Sequence, residues 1–529
     1  MSGGRAALAV LAALAVVSTG APALADDRLP DRRPAVSQQA VPDLLDVGRA
    51  GPPSRDVAAV ISGQQRWSTL AATPTPGLPD FQTSGAAPVA VGDPWLPYAL
   101  AAPVGKTVPT PSTETGVPLR LVDGVAHEHP SNQAVFGLRW LESYRLTGDR
   151  WYLTHALAAG QHLVDKAVRS RDALWFAYTF DFAVAGDASV NMPAPWYSAM
   201  AQGGALSLFT RLWQTTQDAT WLTAATETMR SLSLPPAEGL PWVTHVDDGG
   251  LLWLEEYPRW PTSRSERVLN GSIFAIYGVY DYLRLVPVAA DTEQLHEDGR
   301  RVFDGAVTTV RQTAATAFRR PSWISRYSLL HNIANAHYQA VHREQLLSLQ
   351  HLTGTPWFAQ VADVYRADYP DPVQPGQVTF VRGWHTGYRF DSGGRVTGRL
   401  TKWLPSASSA PADRRQRIRL HGIYYRVTKG AFAGYWVPEA ASRVALRRFV
   451  LRHDYLPRRP VTLAAGTWTG YRFVSGTSTV SSSTKATYSG PTSTTFVASA
   501  VVNGRLHVLV DRGRYAGYWL PVLAGVSLG

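Results

Sequence analysis

Two segments about seventy residues apart hold the side chains best suited to chemistry. The first is Leu254-Glu255-Glu256-Tyr257-Pro258. The second runs from Tyr327 to His342 and reads Tyr-Ser-Leu-Leu-His-Asn-Ile-Ala-Asn-Ala-His-Tyr-Gln-Ala-Val-His. Together they offer two carboxylates, three phenols, three imidazoles and three amides. Phenols and carboxylates grouped in this way suit proton transfer to and from carbon. They do not suit phosphate chemistry, and no Gly-rich phosphate loop is present. His331, His337 and His342 lie close in sequence but lack the spacing of a three-ligand set with a carboxylate, so no metal and no cofactor is expected.

Spacing constrains these groups further. Adjacent residues face opposite sides of a strand or diverge by about 100° on a helix. Glu255 and Glu256 are therefore expected to separate, one as a buried base and the other solvated. Tyr338, His342 and Gln345 fall at i, i+4 and i+7 on one helix face, with Ala336, Ala340 and Leu347 opposite. That polar stripe is expected to face a cavity or solvent.

The elements that must position these groups are helical from about residue 130 to 369. Phe136, Trp140 and Tyr144 recur at i, i+4 and i+8, and Leu153, Leu157, Gly160 and Val164 at i, i+4, i+7 and i+11. Between the two runs sits Thr147-Gly148-Asp149, followed by Trp151. The device returns as Thr216-Gln217-Asp218 before Trp221 and as Thr353-Gly354-Thr355 before Trp357. Each marks a short turn between amphipathic helices, and hairpins of this kind stack into a bundle, a solenoid or a closed α/α toroid.

The C-terminal region changes character. Thr386-Gly387-Tyr388-Arg389-Phe390 reappears 83 residues on as Thr469-Gly470-Tyr471-Arg472-Phe473. Ala433-Gly434-Tyr435-Trp436-Val437-Pro438 reappears at the same offset as Ala516-Gly517-Tyr518-Trp519-Leu520-Pro521. β-branched and aromatic runs alternate there with Gly, Ser and Pro, which reads as two small β modules. The expected fold class is mainly α, an α/α toroid followed by two all-β repeat modules. The expected domains are a signal peptide at 1–25, an Ala/Pro/Gly-rich lead-in at 26–114, the toroid at 115–370, and β modules at 376–455 and 460–529.

Composition adds context. Arg5, the apolar run Ala7 to Val17 and Ala23-Leu24-Ala25 form a secretory signal, so an exported or wall-associated protein is expected. Arg55 to Leu70 is expected to form a helix capped by Ser54. No later segment offers eighteen continuous apolar residues, and none of the 529 residues is cysteine, which excludes thiol and disulfide chemistry. The net charge of +11 is uneven. From Gly376 onward 22 Lys and Arg stand against 5 Asp and Glu, while the remainder is net acidic. The basic C-terminal region implies an anionic partner, a wall or capsule polymer rather than nucleic acid. The 18 Trp and 22 Tyr suit stacking against sugars as well as core packing.

At residues 115–370 the chain resembles the C-terminal domain of D-glucuronyl C5-epimerases. The likeness rests on Thr115-Gly116-Val117-Pro118 leading to His129-Pro130, on Trp196-Tyr197-Ser198-Ala199-Met200-Ala201-Gln202-Gly203, on Glu255-Glu256-Tyr257-Pro258 with Leu269-Asn270-Gly271, and on Ser325-Arg326-Tyr327-Ser328-Leu329-Leu330-His331 with Asn332 and Tyr338 to His342. The resemblance implies an α/α toroid acting on uronate residues of an acidic polysaccharide without cofactor. It implies Tyr257, Tyr327 and Tyr338 as acid–base phenols and Glu256 as the catalytic carboxylate. Tyr197, Gln202, Arg264, Asn270, Arg326, Asn332 and His342 are the expected substrate contacts. A phenol acting as base must have its pKa lowered from roughly 10. The chain departs from the family where an Asp and an Arg follow the first tyrosine of the last stretch: Ser328 and Leu330 stand there. Arg326, His331 or Arg264 are the cations left to replace that Arg.

The leading expectation is a secreted uronate C5-epimerase. A polysaccharide lyase would share its first step. An inverting glycoside hydrolase would rely on paired carboxylates instead, and a non-catalytic polysaccharide-binding protein would keep the helical domain as a scaffold.

Overall fold

A computed structural model of the chain describes residues 48–51, 56–70, 77–184, 191–370, 376–419, 421–475 and 477–529, all within one compact unit. The expected signal peptide and the Ser54 cap lie outside the described residues. Helix α1 spans Val57–Leu70. Eight further helices follow as four hairpins: α2 (Pro130–Thr147) with α3 (Arg150–Lys166), α4 (Ala199–Thr216) with α5 (Ala219–Leu232), α6 (Leu269–Leu285) with α7 (Glu293–Thr313), and α8 (Ala336–Thr353) with α9 (Pro356–Asp368).

Three of the hairpin turns follow the sequence device closely. Gly148, Gln217 and Gly354 take left-handed conformations, with φ of 71°, 59° and 67°, and end α2, α4 and α8. Asp149 and Asp218 then cap the next helices, Oδ1 accepting from Trp151 N (3.0 Å) and Thr220 N (2.9 Å).

The first helix of each hairpin packs against the first helix of the next, in the order α2, α4, α6, α8. Helices α4 and α6 approach most closely. A Cβ on Gly278 would stand 2.3 Å from the Gly203 carbonyl oxygen, so both glycines are needed at this crossing. Short antiparallel strand pairs, Val168–Ser170 with Ala173–Trp175, Asp181–Val184 with Asn191–Met192, and Thr244–Val246 with Leu252–Leu254, lead toward the N-terminal ends of α4 and α6.

The opposite ends of these helices are crossed by an extended strap, residues 77–104. Asp304 on α7 accepts from the backbone N–H groups of Ser84, Gly85 and Ala86. Val89 N then donates to Leu352 O at the end of α8 (2.8 Å), and Tyr280 of α6 donates to Val89 O (2.7 Å). Arg211 of α4, ion-paired with Asp281, donates to Pro97 O (2.8 Å), and Val104 N reaches Ser143 Oγ on α2 (3.0 Å).

The C-terminal region forms two seven-stranded antiparallel sheets of identical strand order, in keeping with the 83-residue duplication. The strand Phe449–Leu463 belongs along its whole length to the second sheet, pairing with Thr492–Val502. Tyr455, Val461, Phe496, Val508 and Tyr515 of the second module lie in the same hydrophobic core as the helices. The second module is thus docked rather than tethered. An ionic latch joins it to α9. Asp363 Oδ1 accepts from His453 Nδ1 (2.7 Å) and Tyr455 OH (2.8 Å), Oδ2 accepts from Arg459 (2.6 Å), and Arg366 lies 3.0 Å away.

The expected class, mainly α, is corrected here. Helix takes 35% of the residues and strand 29%, so the two β sheets are a second structural half rather than an appendage. The repeats are not small units. Each copy instead closes a full seven-stranded sheet by bringing the strands Val444–Leu446 and Val526–Leu528 back beside Gly376–Phe380 and Phe449–Leu463.

Candidate active site

The backbone brings the two chemical segments together at the N-terminal ends of the hairpins' first helices. Glu255 is pinned from both sides, its N–H donating to Val243 O and its carbonyl accepting from Ala199 N, each at 2.7 Å. Tyr327 is held by N–H donation to Ile333 O (2.7 Å) and by Leu269 N donating to its carbonyl (3.2 Å). These four bonds set Glu256 and Tyr257 against Tyr327 across the start of α6.

The side chains form a continuous series. Tyr327 OH donates to Glu256 Oε1 (2.9 Å) and shares a hydrogen bond with Tyr257 OH (3.1 Å). The Tyr338 ring lies against that of Tyr327 with centroids 4.4 Å apart. Gly271 makes this possible: a Cβ there would stand 2.2 Å from Glu256 Oε2. Gly271→Ala is therefore expected to displace the Glu256 carboxylate and cut activity by about tenfold or more. Kinetics on a variant whose melting temperature stays close to the parent checks this.

Burial governs the electrostatics. It raises the Glu256 pKa to about 8, partly offset by hydrogen bonds from Tyr327 and Tyr257. It raises Glu255 to about 8 as well, with the N–H and charge of Arg267 pulling the other way. Tyr257 and Tyr327 are pushed well above the ordinary phenol range, first by burial and then by the Glu256 charge. His342 falls to about 3 by burial and is a neutral imidazole, its Nδ1 2.9 Å from Ser325 Oγ.

Three expectations change here. Both glutamates are fully buried, because Glu255 turns toward His245 and Arg267 N while Glu256 turns toward the tyrosines. The polar stripe Tyr338, His342 and Gln345 faces the protein interior rather than solvent. Tyr257 and Tyr327 are raised rather than lowered, so within their hydrogen-bonded series the group poised near ambient pH is Glu256.

The remaining expected residues fall in two sets. Asn270 and His342 lie buried beside the cluster at the starts of α6 and α8, and the Asn270 carbonyl accepts from Gln345 (2.9 Å). Gln202 is engaged by Phe176 N, Leu174 O and Ser231, and Tyr197 OH reaches Gln64 of α1 (2.7 Å). Arg326 donates to Asn332 Oδ1 (2.5 Å), and Arg264 is solvent-exposed on a short 3₁₀ turn. Leu330, at the position of the family Arg, is also exposed, whereas Ser328 is buried.

Sequence reasoning passed over three neighbours. Tyr178 stacks on Trp196 at 3.8 Å and feels the charge of Glu256. Arg267 lies two residues before the Leu269-Asn270-Gly271 motif. Phe182 stacks over Tyr257 at 5.5 Å and, with Trp196, encloses the phenols. Tyr178 and Phe182 sit in the aromatic alternation Phe176, Tyr178, Phe180, Phe182, a strand signal that was available. The result is a sealed cluster: Tyr257 and Tyr327 are 0% exposed and Tyr338 1%.

By sequence, this helical region is similar to a domain of carbohydrate epimerases. Residues 171–367 match the model of the D-glucuronyl C5-epimerase C-terminus family. The chain is 26% identical over 162 residues to a D-glucuronyl C5-epimerase of Caenorhabditis elegans, a match that covers 28% of this chain and a quarter of that protein's length. Among solved structures, the Lin0763 protein from Listeria innocua is 12% identical with a TM-score of 0.32, covering 45% of this chain and 60% of its own. Cellobiose 2-epimerase from Bacillus thermoamylovorans is 11% identical with a TM-score of 0.30, covering 45% and 59%. Likeness at those scores bears on neither activity nor substrate.

Proposed function

We propose that the chain is an exported uronate C5-epimerase acting on an acidic, glucuronate-containing polysaccharide. The observation that carries this reading is the hydrogen-bonded series Glu256–Tyr327–Tyr257, with Tyr338 against it. The C5 hydrogen of a uronate lies beside a carboxylate. A base takes that proton, the C–H electron pair moves into the carboxyl group as an enediolate-like anion, and a second group returns a proton to C5 from the opposite face. Glu256, with a pKa near 8, exchanges a proton readily near neutral pH, and Tyr327 is the hydroxyl through which it does so. Tyr257 and Tyr338 are the phenols on hand to donate to the other face. The N-terminal ends of α6 and α8 add partial positive charge where the anion forms.

The reading requires Phe182, on the strand Asp181–Val184, to shift when a sugar enters, because it covers Tyr257. That enclosure, with Leu330 in place of the family Arg, favours one second reading: a polysaccharide-binding protein that keeps the domain as a scaffold. Incubation with glucuronate polymers in D2O separates the two. The epimerase reading expects one deuterium at C5 of each turned-over residue, with no chain cleavage and with exchange lost in Tyr338→Phe. An unsaturated, ultraviolet-absorbing product identifies a lyase, and new reducing ends identify a hydrolase. Binding without exchange leaves the scaffold.

A further inference from the structure

The two β modules share one strand order, so a comparison between them separates what the fold requires from what only one copy carries. Tyr388 and Tyr471, Arg389 and Arg472, and Trp436 and Trp519 occupy matching places. Both arginines lie over a tyrosine ring, at 4.6 Å from Tyr435 and 4.5 Å from Tyr518. These residues belong to the scaffold.

On one face of the hairpin Gly383–Phe390 with Val396–Leu404 the copies diverge. Trp384 stands directly opposite Trp403, with ring centroids 5.6 Å apart and planes at 62°. They are 60% and 45% exposed. In the second module the same pair is Thr467 opposite Thr487. Arg382 lies over the Trp403 ring at 5.9 Å, and Arg443 donates to the Trp384 carbonyl (2.6 Å). Their counterparts are Ala465 and Gly525. The Arg443 match is fixed by backbone bonds, since Val381 N donates to Arg443 O as Ala464 N donates to Gly525 O. Arg399, opposite Tyr388 on the same face, is replaced by Ser483. Arg382, Arg399 and Arg443 are all exposed, and among the described residues none has an acidic partner. Beside them, Arg443 and Arg447 line a groove of about 480 Å³ between Gln377–Val381, Ala407–Ser409 and Ala441–Arg447.

We infer that this face of the first module is a binding site for an acidic polysaccharide chain, and that the second module, lacking it, serves to dock the pair on the helices. Two exposed indoles flanked by guanidinium groups without acidic partners complement a ligand that offers apolar ring faces and carboxylates together. Successive nucleobases stack in parallel planes. Successive pyranose rings are rotated about the glycosidic axis, so indoles inclined at 62° suit a glycan better. A site held rigidly beside the helical domain raises the local concentration of that polymer there. The choice of an acidic glycan rests in part on the proposed substrate class, whereas the site itself rests on the module alone.

The test uses the full-length protein with a glucuronate-containing decasaccharide, its carboxyl-reduced counterpart and a poly-dT oligonucleotide, read by tryptophan fluorescence and calorimetry. The decasaccharide is expected to bind and to perturb indole emission. Affinity should fall at least about tenfold in Trp384→Ala/Trp403→Ala, in Arg382→Gln/Arg443→Gln, and with the carboxyl-reduced chain. Thr467→Ala/Thr487→Ala in the second module should leave it unchanged. Undiminished binding by the first two variants, or tighter binding of poly-dT, overturns the inference. C5 exchange on a saturating short oligosaccharide should be the same in Trp384→Ala/Trp403→Ala as in the parent. If the parent shows no exchange while the fluorescence results hold, the enzymatic reading fails and the binding site stands.

Discussion

Tyr327→Phe will reduce deuterium uptake at C5 by about a hundredfold or more, the lower end of the range for losing a positioned proton carrier. Its hydroxyl is bonded at once to Glu256 and to Tyr257, so removing one oxygen severs the series in the middle. The ring remains, and with it the packing against Tyr338. The variant should fold, at a stability cost of about 1–3 kcal/mol for leaving the buried Glu256 carboxyl short of a donor. Tyr178→Phe supplies the comparison. That phenol is equally buried, but it bonds to Ser131 outside the series, so exchange should change little. Mass and proton analysis of the polymer after incubation in D2O, with melting curves for both variants, gives the answer. Full exchange by Tyr327→Phe would remove the proposed proton path.

The second large effect is expected far from the site. Asp363→Ala should destabilise the docked second module by about 3 kcal/mol, the lower end of the range for breaking a buried charge network. The lower end applies because a fifth of the carboxylate side chain reaches solvent. Burial acts to raise the Asp363 pKa, but Arg366, His453 and Arg459 outweigh it and hold the group below the ordinary carboxylate range. Removing the carboxylate strands two nearly buried guanidinium groups, Arg366 and Arg459. Denaturant unfolding should then separate into two transitions, and limited proteolysis should cut near residues 449–463 first. A single unshifted transition would mean that the apolar contacts of Tyr455 and Phe496 hold the module without the latch.

How far the sequence could be read depended on the range of the interactions involved. The hairpin turns were legible because Gly148, Asp149, Gln217 and Asp218 act within a few residues of themselves. The duplication was legible because it is covalent order repeated. Grouping Glu256, Tyr257, Tyr327 and Tyr338 came from matching family motifs, since nothing local joins residues 257 and 327. What escaped notice depends on distant packing. Glu255 cannot be known to be buried until the 244–254 hairpin and the Glu266–Arg267 turn close on it. Gly271 reads as an ordinary helix residue until Glu256 arrives against it. Phe182 reads as one more strand aromatic until it is seen lying over Tyr257. The composition of the repeats pointed to a basic surface, but only the sheet register shows that the exposed indole pair belongs to one copy.

The strap at residues 77–104 leaves a mark on how the chain matures. It emerges early in synthesis, yet its seats are on α8, α6, α4 and α2, and the seat at Leu352 lies more than 250 residues later. Ordering the strap must therefore wait for nearly the whole helical region, a late step with a large separation between contacting residues. Truncated products ending before α8 would carry the strap with no place to lie, which offers a quality-control machinery a simple sign that the chain is unfinished.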